Sequence, residues 1–129
     1  MYRILIIDDD HNLRTMLQKT LTPEGYECLT APNASIGFQT CLKGRPDLIL
    51  LDVNLPDDNG INVCRKIKAH AEIRHIPVLI ITGEAGAVES RIEGLEAGAD
   101  DYVLKPFDMN ELLSRIKLMI KAASKPTQR

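Results

Sequence analysis

Cysteine is scarce in this sequence. Only Cys28, Cys41 and Cys64 occur, odd in number and far apart. That spacing argues against a zinc site and against a secreted disulfide scaffold. A reducing, cytoplasmic setting is expected. Long apolar runs are also missing. None approaches the roughly 20 residues of a membrane span. The start, Met1-Tyr2-Arg3 followed by Ile4 to Ile7, is too short for a signal peptide. No excess of positive charge exists either. Sixteen Lys plus Arg stand against 18 Asp plus Glu, a net charge of −2. A mildly acidic domain is poorly suited to gripping nucleic-acid phosphates by itself. Direct nucleic-acid binding and membrane association are therefore not expected.

What is present is one globular domain. The 129 residues are 44% hydrophobic and 26% charged. A chain of this size buries roughly two-thirds of its unfolded surface and needs no covalent staple. Short apolar runs lie at Ile4–Ile7, Leu48–Leu51 and Val78–Ile81. None alternates polar with apolar, so each reads as a strand buried on both faces of a parallel sheet. Tyr26–Thr30 and Asp101–Leu104 are weaker strand candidates. Helix-period faces lie between them: Leu13, Met16, Leu17 and Leu21; Val63, Cys64 and Ile67; Val88, Ile92, Leu95 and Ala99; and Leu112, Leu113, Ile116, Met119 and Ile120. Residues 34–42 form a poorer helix with Gly37 inside it. Pro23, Gly25, Gly44, Pro46, Pro56, Gly60, Pro77 and Gly98 punctuate the series. The result is five strand–helix repeats, a doubly wound α/β domain over residues 1–122. Residues 123–129 are expected to be a polar tail or the start of a linker.

Charge meets the strand ends in a pattern. Asp8 and Asp9 follow the first strand, Asp52 the third, Thr82 the fourth and Lys105 the fifth. In a parallel sheet these ends share one edge, where ligands of open α/β sheets bind. With strand order 2-1-3-4-5, Asp8, Asp9 and Asp52 converge in one crevice. Three carboxylates repel unless a cation or proton lies among them. Their oxygen donors suit Mg²⁺. A carboxylate nucleophile, a metal, an ammonium and a hydroxyl are the parts needed for phosphoryl transfer to aspartate.

Those residues carry a resemblance. From about Arg3 to about Ala122 the chain resembles the receiver domain of two-component response regulators. The matching pieces are Ile4-Leu-Ile-Ile-Asp-Asp-Asp10, Pro46-Asp-Leu-Ile-Leu-Leu-Asp52, Leu55-Pro-Asp-Asp-Asn-Gly60, Ile80-Ile-Thr-Gly83 and Gly98-Ala-Asp-Asp-Tyr-Val-Leu-Lys-Pro-Phe107. The resemblance implies a flavodoxin-like (βα)5 fold. It implies that Asp52 accepts a phosphoryl group from a sensor histidine kinase or a phosphotransfer protein. It implies Mg²⁺ held by Asp9, Asp52 and the Asn54 backbone carbonyl, with Asp8 acting partly through water. Thr82 and Lys105 would contact the phosphoryl group. Thr82 and Tyr102 would be the switch residues, and the bond before Pro106 would be cis. Gly83 stands where a small residue, often Ala, usually follows the Thr.

Plainer readings compete. An acidic run such as Asp8-Asp9-Asp10 is usually a solvated loop or a helix N-cap, and Asp10 is placed to cap the first helix. Asp100, Asp101, His11, His70 and His75 read as surface residues. Cys28 and Cys64 read as small core hydrophobes. Asp8-Asp9-Asp10 also contains the Asp-x-Asp of haloacid dehalogenase-type phosphohydrolases, but that reading leaves Asp52 unexplained. A receiver used only as a scaffold is the third alternative, and the complete site argues against it. The chain is therefore expected to be a switch and not an enzyme, with weak autophosphatase activity. Asn54 and Glu84 are expected to border the path of the hydrolytic water, and neither is bulky enough to close it.

The output face of receivers is helix four, strand five and helix five. Here Arg91, Glu96, Asp101, Glu111, Arg115 and Lys117 resemble the pairs Arg91–Glu111, Glu96–Lys117 and Asp101–Arg115 that cross the dimer interface in receivers of winged-helix transcription factors. The resemblance implies a homodimer on phosphorylation and an output in transcription. The competing view is solvated helix faces with local pairs, such as Glu111 and Arg115 four residues apart.

Overall fold

The computed structural model describes residues 1–83 and 87–124. The strands are β1 (Arg3–Ile7), β2 (Glu27–Ala31), β3 (Leu48–Asp52), β4 (Val78–Thr82) and β5 (Asp101–Leu104). The helices are α1 (His11–Leu21), α2 (Ala34–Gly44), α3 (Gly60–Ala69), α4 (Ala87–Glu96) and α5 (Met109–Ser124). All strand pairs are parallel, in the order β2-β1-β3-β4-β5. The doubly wound (βα)5 architecture is thus the one the apolar runs required. Helix α5 runs to Ser124, and residues 125–129 lie outside the described residues.

The unbroken apolar runs have a simple cause. Successive side chains of a strand point to opposite faces, and here both faces are covered. Leu5, Ile7, Ile49, Leu51, Val78 and Ile80 pack with residues of α2 and α3. Ile4, Ile6, Leu48, Leu50, Leu79 and Ile81 pack with residues of α1 and α5. Gly37, unfavourable for helix by propensity, lets α2 lie close on β1. A Cβ there would stand 2.7 Å from Cδ1 of Ile7.

Two helix faces depart from the simple helical period. Ile92 and Leu95 of α4 are 54% and 53% exposed. Among the described residues, Gly94 of α4 and Ala97 just after it are buried. A Cβ on Gly94 would stand 2.9 Å from Ile80 Cδ1, so α4 approaches the sheet through its smallest residues and turns its larger ones outward. Met16 of α1 is likewise exposed, while Leu17 and Leu21 carry that helix's core contact. The side chain of Val88 lies outside the described residues. Cys64 is fully buried and Cys28 half-buried, and burial pushes the pKa of both upward, that of Cys64 to about 11. Among the described residues no helix is long and apolar enough to cross a membrane.

Candidate functional site

Strand register builds the site. Ile7 is level with Leu51, so the next residues, Asp8 and Asp52, leave adjacent strands side by side. The winding direction reverses between β1 and β3, and no connection covers that crevice. Thr82 is level with Leu104, and Lys105 follows directly, its backbone N–H donating to the Thr82 carbonyl at 2.6 Å.

The three polar residues on this edge are buried. Asp8 is 3% exposed, Asp52 5% and Thr82 2%. Lys105 Nζ lies 3.1 Å from Asp8 Oδ2 and 3.5 Å from Asp52 Oδ2, one ammonium bridging two carboxylates. Asp9 is exposed beside them. Carboxylate oxygens of Asp8, Asp9 and Asp52 all lie within 4.8 Å of one another. This all-oxygen donor set, open on the Asp9 side, fits a hard divalent cation such as Mg²⁺.

The electrostatics follow from this crowding. Burial pushes the pKa of Asp52 up, and the neighbouring Asp8 charge adds to it. Lys105 and the backbone N–H of Asn54 offset that only in part. Burial acts in the opposite sense on Lys105, but the charges of Asp52 and Asp8 outweigh it, so its pKa lies above the ordinary lysine value. Lys105 is thus a fixed positive charge, while Asp52 is an unusually basic carboxylate that gains from any further cation.

Local bonds hold each loop. Asp8 Oδ1 accepts from the Asp10 backbone N–H at 2.9 Å, and Arg14 Nη1 donates to the Asp8 carbonyl at 2.8 Å. Asp10 caps α1 by accepting from Asn12 and Leu13 N–H groups. After β3, Asn54 and Asn59 form an antiparallel bridge, and Gly60 N–H donates to the Val53 carbonyl at 2.7 Å. Asn59 then caps α3 through Ile61 N–H. The exposed Asn54 lines a shallow groove with Asp9, Asp57 and Asp58. Glu84 lies outside the described residues. The Lys105–Pro106 peptide is cis.

Tyr102 is half-buried on β5, level with Ile80, and packs against the α2–α3 side of the core. It also lines a groove with Arg91, Leu95, Asp101, Glu111 and Arg115. Inside that groove Arg115 is already paired with two carboxylates. Arg115 Nη1 contacts Asp101 at 2.8 Å, and Arg115 Nη2 contacts Glu111 at 3.0 Å. Lys117 pairs with Glu24 at 3.0 Å, and Glu96 is exposed.

Sequence reasoning passed over several contributors. Asp100 is not a mere surface charge: its Oδ2 accepts from Val78 N–H at 2.9 Å and from Lys68 at 3.0 Å, tying the start of β4 to α3. Asp101 is held by Arg115 and is only partly exposed. His70 is half-buried edge-on against Phe38, whereas His11 and His75 are exposed. Arg14 and Asp57 were given no role of their own, because their partners are backbone atoms, which side-chain patterns do not reveal.

The fold and site agree with what the chain is similar to. Residues 4–117 match the family model of the response regulator receiver domain. The chain is 41% identical over 118 residues to the phosphate regulon transcriptional regulatory protein PhoB of Pseudomonas aeruginosa, covering 92% of this chain and 51% of that protein. It is 40% identical over 121 residues to the response regulator ArlR of Staphylococcus aureus, covering 94% and 53%. The chain thus spans about half the length of the curated relatives it matches. Among solved structures, a CheY-like response regulator receiver domain protein of Methanospirillum hungatei superposes with a TM-score of 0.88 at 33% identity, covering 95% of this chain and 96% of that one. The signal receiver domain of a histidine kinase from Syntrophus aciditrophicus gives 0.90 at 29% identity, covering 100% and 97%. The chain belongs to the response regulator receiver domain family, the phosphorylation-activated switches of two-component signalling.

Proposed function

We propose that Asp52 is the phosphoacceptor of this switch and that Asp8, Asp9, Asp52 and the Asn54 carbonyl would hold Mg²⁺ beside it. The observation that supports this best is the bridging of Asp8 and Asp52 by Lys105 at the reversal point of the sheet. An Asp52 carboxylate oxygen attacks the phosphorus of a phosphohistidine on a sensor kinase or phosphotransfer protein. The new O–P bond forms as the N–P bond breaks, and the electron pair leaves with the imidazole. Lys105 supplies positive charge to the transferring oxygens, and the Thr82 hydroxyl donates to one of them. Mg²⁺ held by Asp8, Asp9, Asp52 and the Asn54 carbonyl would supply further neutralisation of the developing charge. Reset is hydrolysis: water attacks phosphorus, the O–P bond breaks, and the Asp52 carboxylate returns. Asn54 borders that approach from the open side. This is weak autophosphatase activity and not turnover of a substrate.

The output follows from the second groove. Thr82 moving towards a phosphorylated Asp52 would free space for Tyr102, which lies between the core and the groove on the face of α4, β5 and α5. Charges of both signs and the exposed Ile92, Leu95, Leu104 and Leu118 suit that face to a second copy of the chain. In the monomer, Asp101–Arg115 and Lys117–Glu24 are satisfied internally. Pairing across a twofold axis therefore exchanges ion pairs rather than adding them, which keeps the unphosphorylated chain monomeric. The proposed setting is the cytoplasm, with transcriptional output through a partner segment and no nucleic-acid contact by residues 1–122.

The test is labelling with acetyl phosphate and Mg²⁺. Phosphate on Asp52, lost in Asp52→Asn, supports the reading. Phosphate on Asp8 would favour a phosphohydrolase of the haloacid dehalogenase kind, and no labelling a scaffold.

A further inference from the structure

Asp57 is outside the residues that the proposed chemistry uses, yet its carboxylate is fully engaged. A helix leaves its first N–H groups without partners inside the helix. In α2, Asn33 Oδ1 accepts from Ile36 N–H at 2.8 Å, the usual cap. The two N–H groups before it are taken by a residue from another loop. Asp57 Oδ1 accepts from Ala34 N–H at 2.8 Å, and Asp57 Oδ2 from Ser35 N–H at 3.0 Å. These two bonds hold the Asp57 carboxyl below the usual carboxylate range.

The geometry makes the bond pair a clamp on the site. Residues 53–59 form a loop closed at its base by the Asn54–Asn59 bridge and the Gly60–Val53 hydrogen bond. Asp57 lies towards the tip of that loop. Its anchor is rigid, because Ala34, Gly37 and Cys41 bury α2 against the sheet. The neighbouring Asp58 carries the same charge but bonds within its own segment, to Asn59 N–H, Asn62 and Lys66.

We propose that Asp57 is a positioning residue for the metal site, clamping the loop of Asn54 to the first turn of α2 so that cation affinity is coupled to that helix end. This rests on the reading of Asp8, Asp9, Asp52 and the Asn54 carbonyl as the metal-holding set. Partners one step removed from a metal's ligands commonly control affinity by tenfold or more. The coupling is reciprocal: a cation that prefers the clamped loop must tighten the clamp.

The experiment titrates the full chain with MgCl₂ by calorimetry and follows amide hydrogen exchange by NMR. Asp57→Ala should weaken Mg²⁺ binding about tenfold, and Asp57→Asn, which keeps one acceptor oxygen, by less. Asp58→Ala removes an equal charge from the same loop and should change affinity within about twofold, the size of a screened surface effect. In the wild-type chain, Mg²⁺ should slow exchange of the Ala34 and Ser35 amides, and in Asp57→Ala it should not. Equal losses in Asp57→Ala and Asp58→Ala would show a charge effect only and overturn the clamp. Wild-type affinity in Asp57→Ala, or Ala34 and Ser35 exchange indifferent to Mg²⁺, overturns it as well. A wild-type chain that binds no Mg²⁺ overturns both the clamp and the metal reading beneath it, which separates the two failures.

Discussion

Replacing Gly60 by alanine should disturb the acceptor strand from behind. Gly60 opens α3 and is buried against the end of β3. A Cβ there would collide with the backbone carbonyl oxygen of Asp52 and lie 2.9 Å from both the Asp52 carbonyl carbon and Val53 Cα. Those are backbone atoms of a central strand, so no side chain can rotate away. Restoring ordinary contact requires the start of α3 and the end of β3 to separate by about 1 Å or more, which puts the cost at the upper end of overpacking, about 3 kcal/mol. Alanine's better helix propensity returns at most about 1 kcal/mol. The net loss is about 2 kcal/mol, or roughly 6–10 °C in Tm for a domain of this size. The displaced atoms are those of Asp52 itself, so labelling by acetyl phosphate should fall with Tm. Gly83→Ala is the control: it adjoins the site at Thr82, but its Cβ would have nothing within 4 Å. Thermal unfolding by circular dichroism and a labelling time course measure both. A Gly60→Ala chain that melts within 2 °C of wild type and labels at the same rate would refute the argument.

Three further outcomes are expected. The raised pKa of Asp52 favours folding below its ordinary value of 3.8, and that contribution is lost as pH rises through the higher folded value. Asp52→Asn removes the loss, so without Mg²⁺ it should be more stable than wild type at pH 7 by about 1 kcal/mol, with the gap narrowing towards pH 4; equal melting curves at both pH values would count against the buried repulsion. Arg115→Ala should leave Asp52 labelling intact but weaken the dimer formed with beryllofluoride and Mg²⁺. Two symmetry-related pairs of about 0.2–1 kcal/mol each, less the internal Asp101–Arg115 pairs that the dimer gives up, bound the loss at roughly 30-fold by sedimentation, and a dimer indifferent to both Arg115 and salt would mean that another surface is used. Asn54→Met should slow loss of phosphate from the purified chain by roughly tenfold by obstructing the in-line water, and wild-type phosphate that persists for many hours would contradict an open path.

The sequence was most informative where its pattern is local. Three apolar runs without alternation already require a sheet covered on both sides, and the helical periods between them require a crossover after each strand. The strand-end positions of Asp8, Asp52, Thr82 and Lys105 needed only the parallel arrangement to become neighbours. The α4 face was not legible from its helical period, for a physical reason. Its period was assigned to Ile92 and Leu95, yet the helix approaches Ile80 through Gly94 and exposes its larger residues. Hydrophobicity alone does not say when close approach outweighs apolar area. The face so exposed is the one proposed to meet a second copy.

What the sequence by itself determined is therefore the fold class, the polar edge and the chemistry its residue types permit. Local propensity, side-chain periodicity and donor type are properties of short segments and survive without coordinates. Tertiary structure alone decided which charges meet. It gave Lys117 a partner in Glu24 within the chain, and Asp57 the amides of Ala34 and Ser35. Each of these contacts joins segments 20 or more residues apart. Their partners are fixed by strand register and helix docking, which no local pattern encodes.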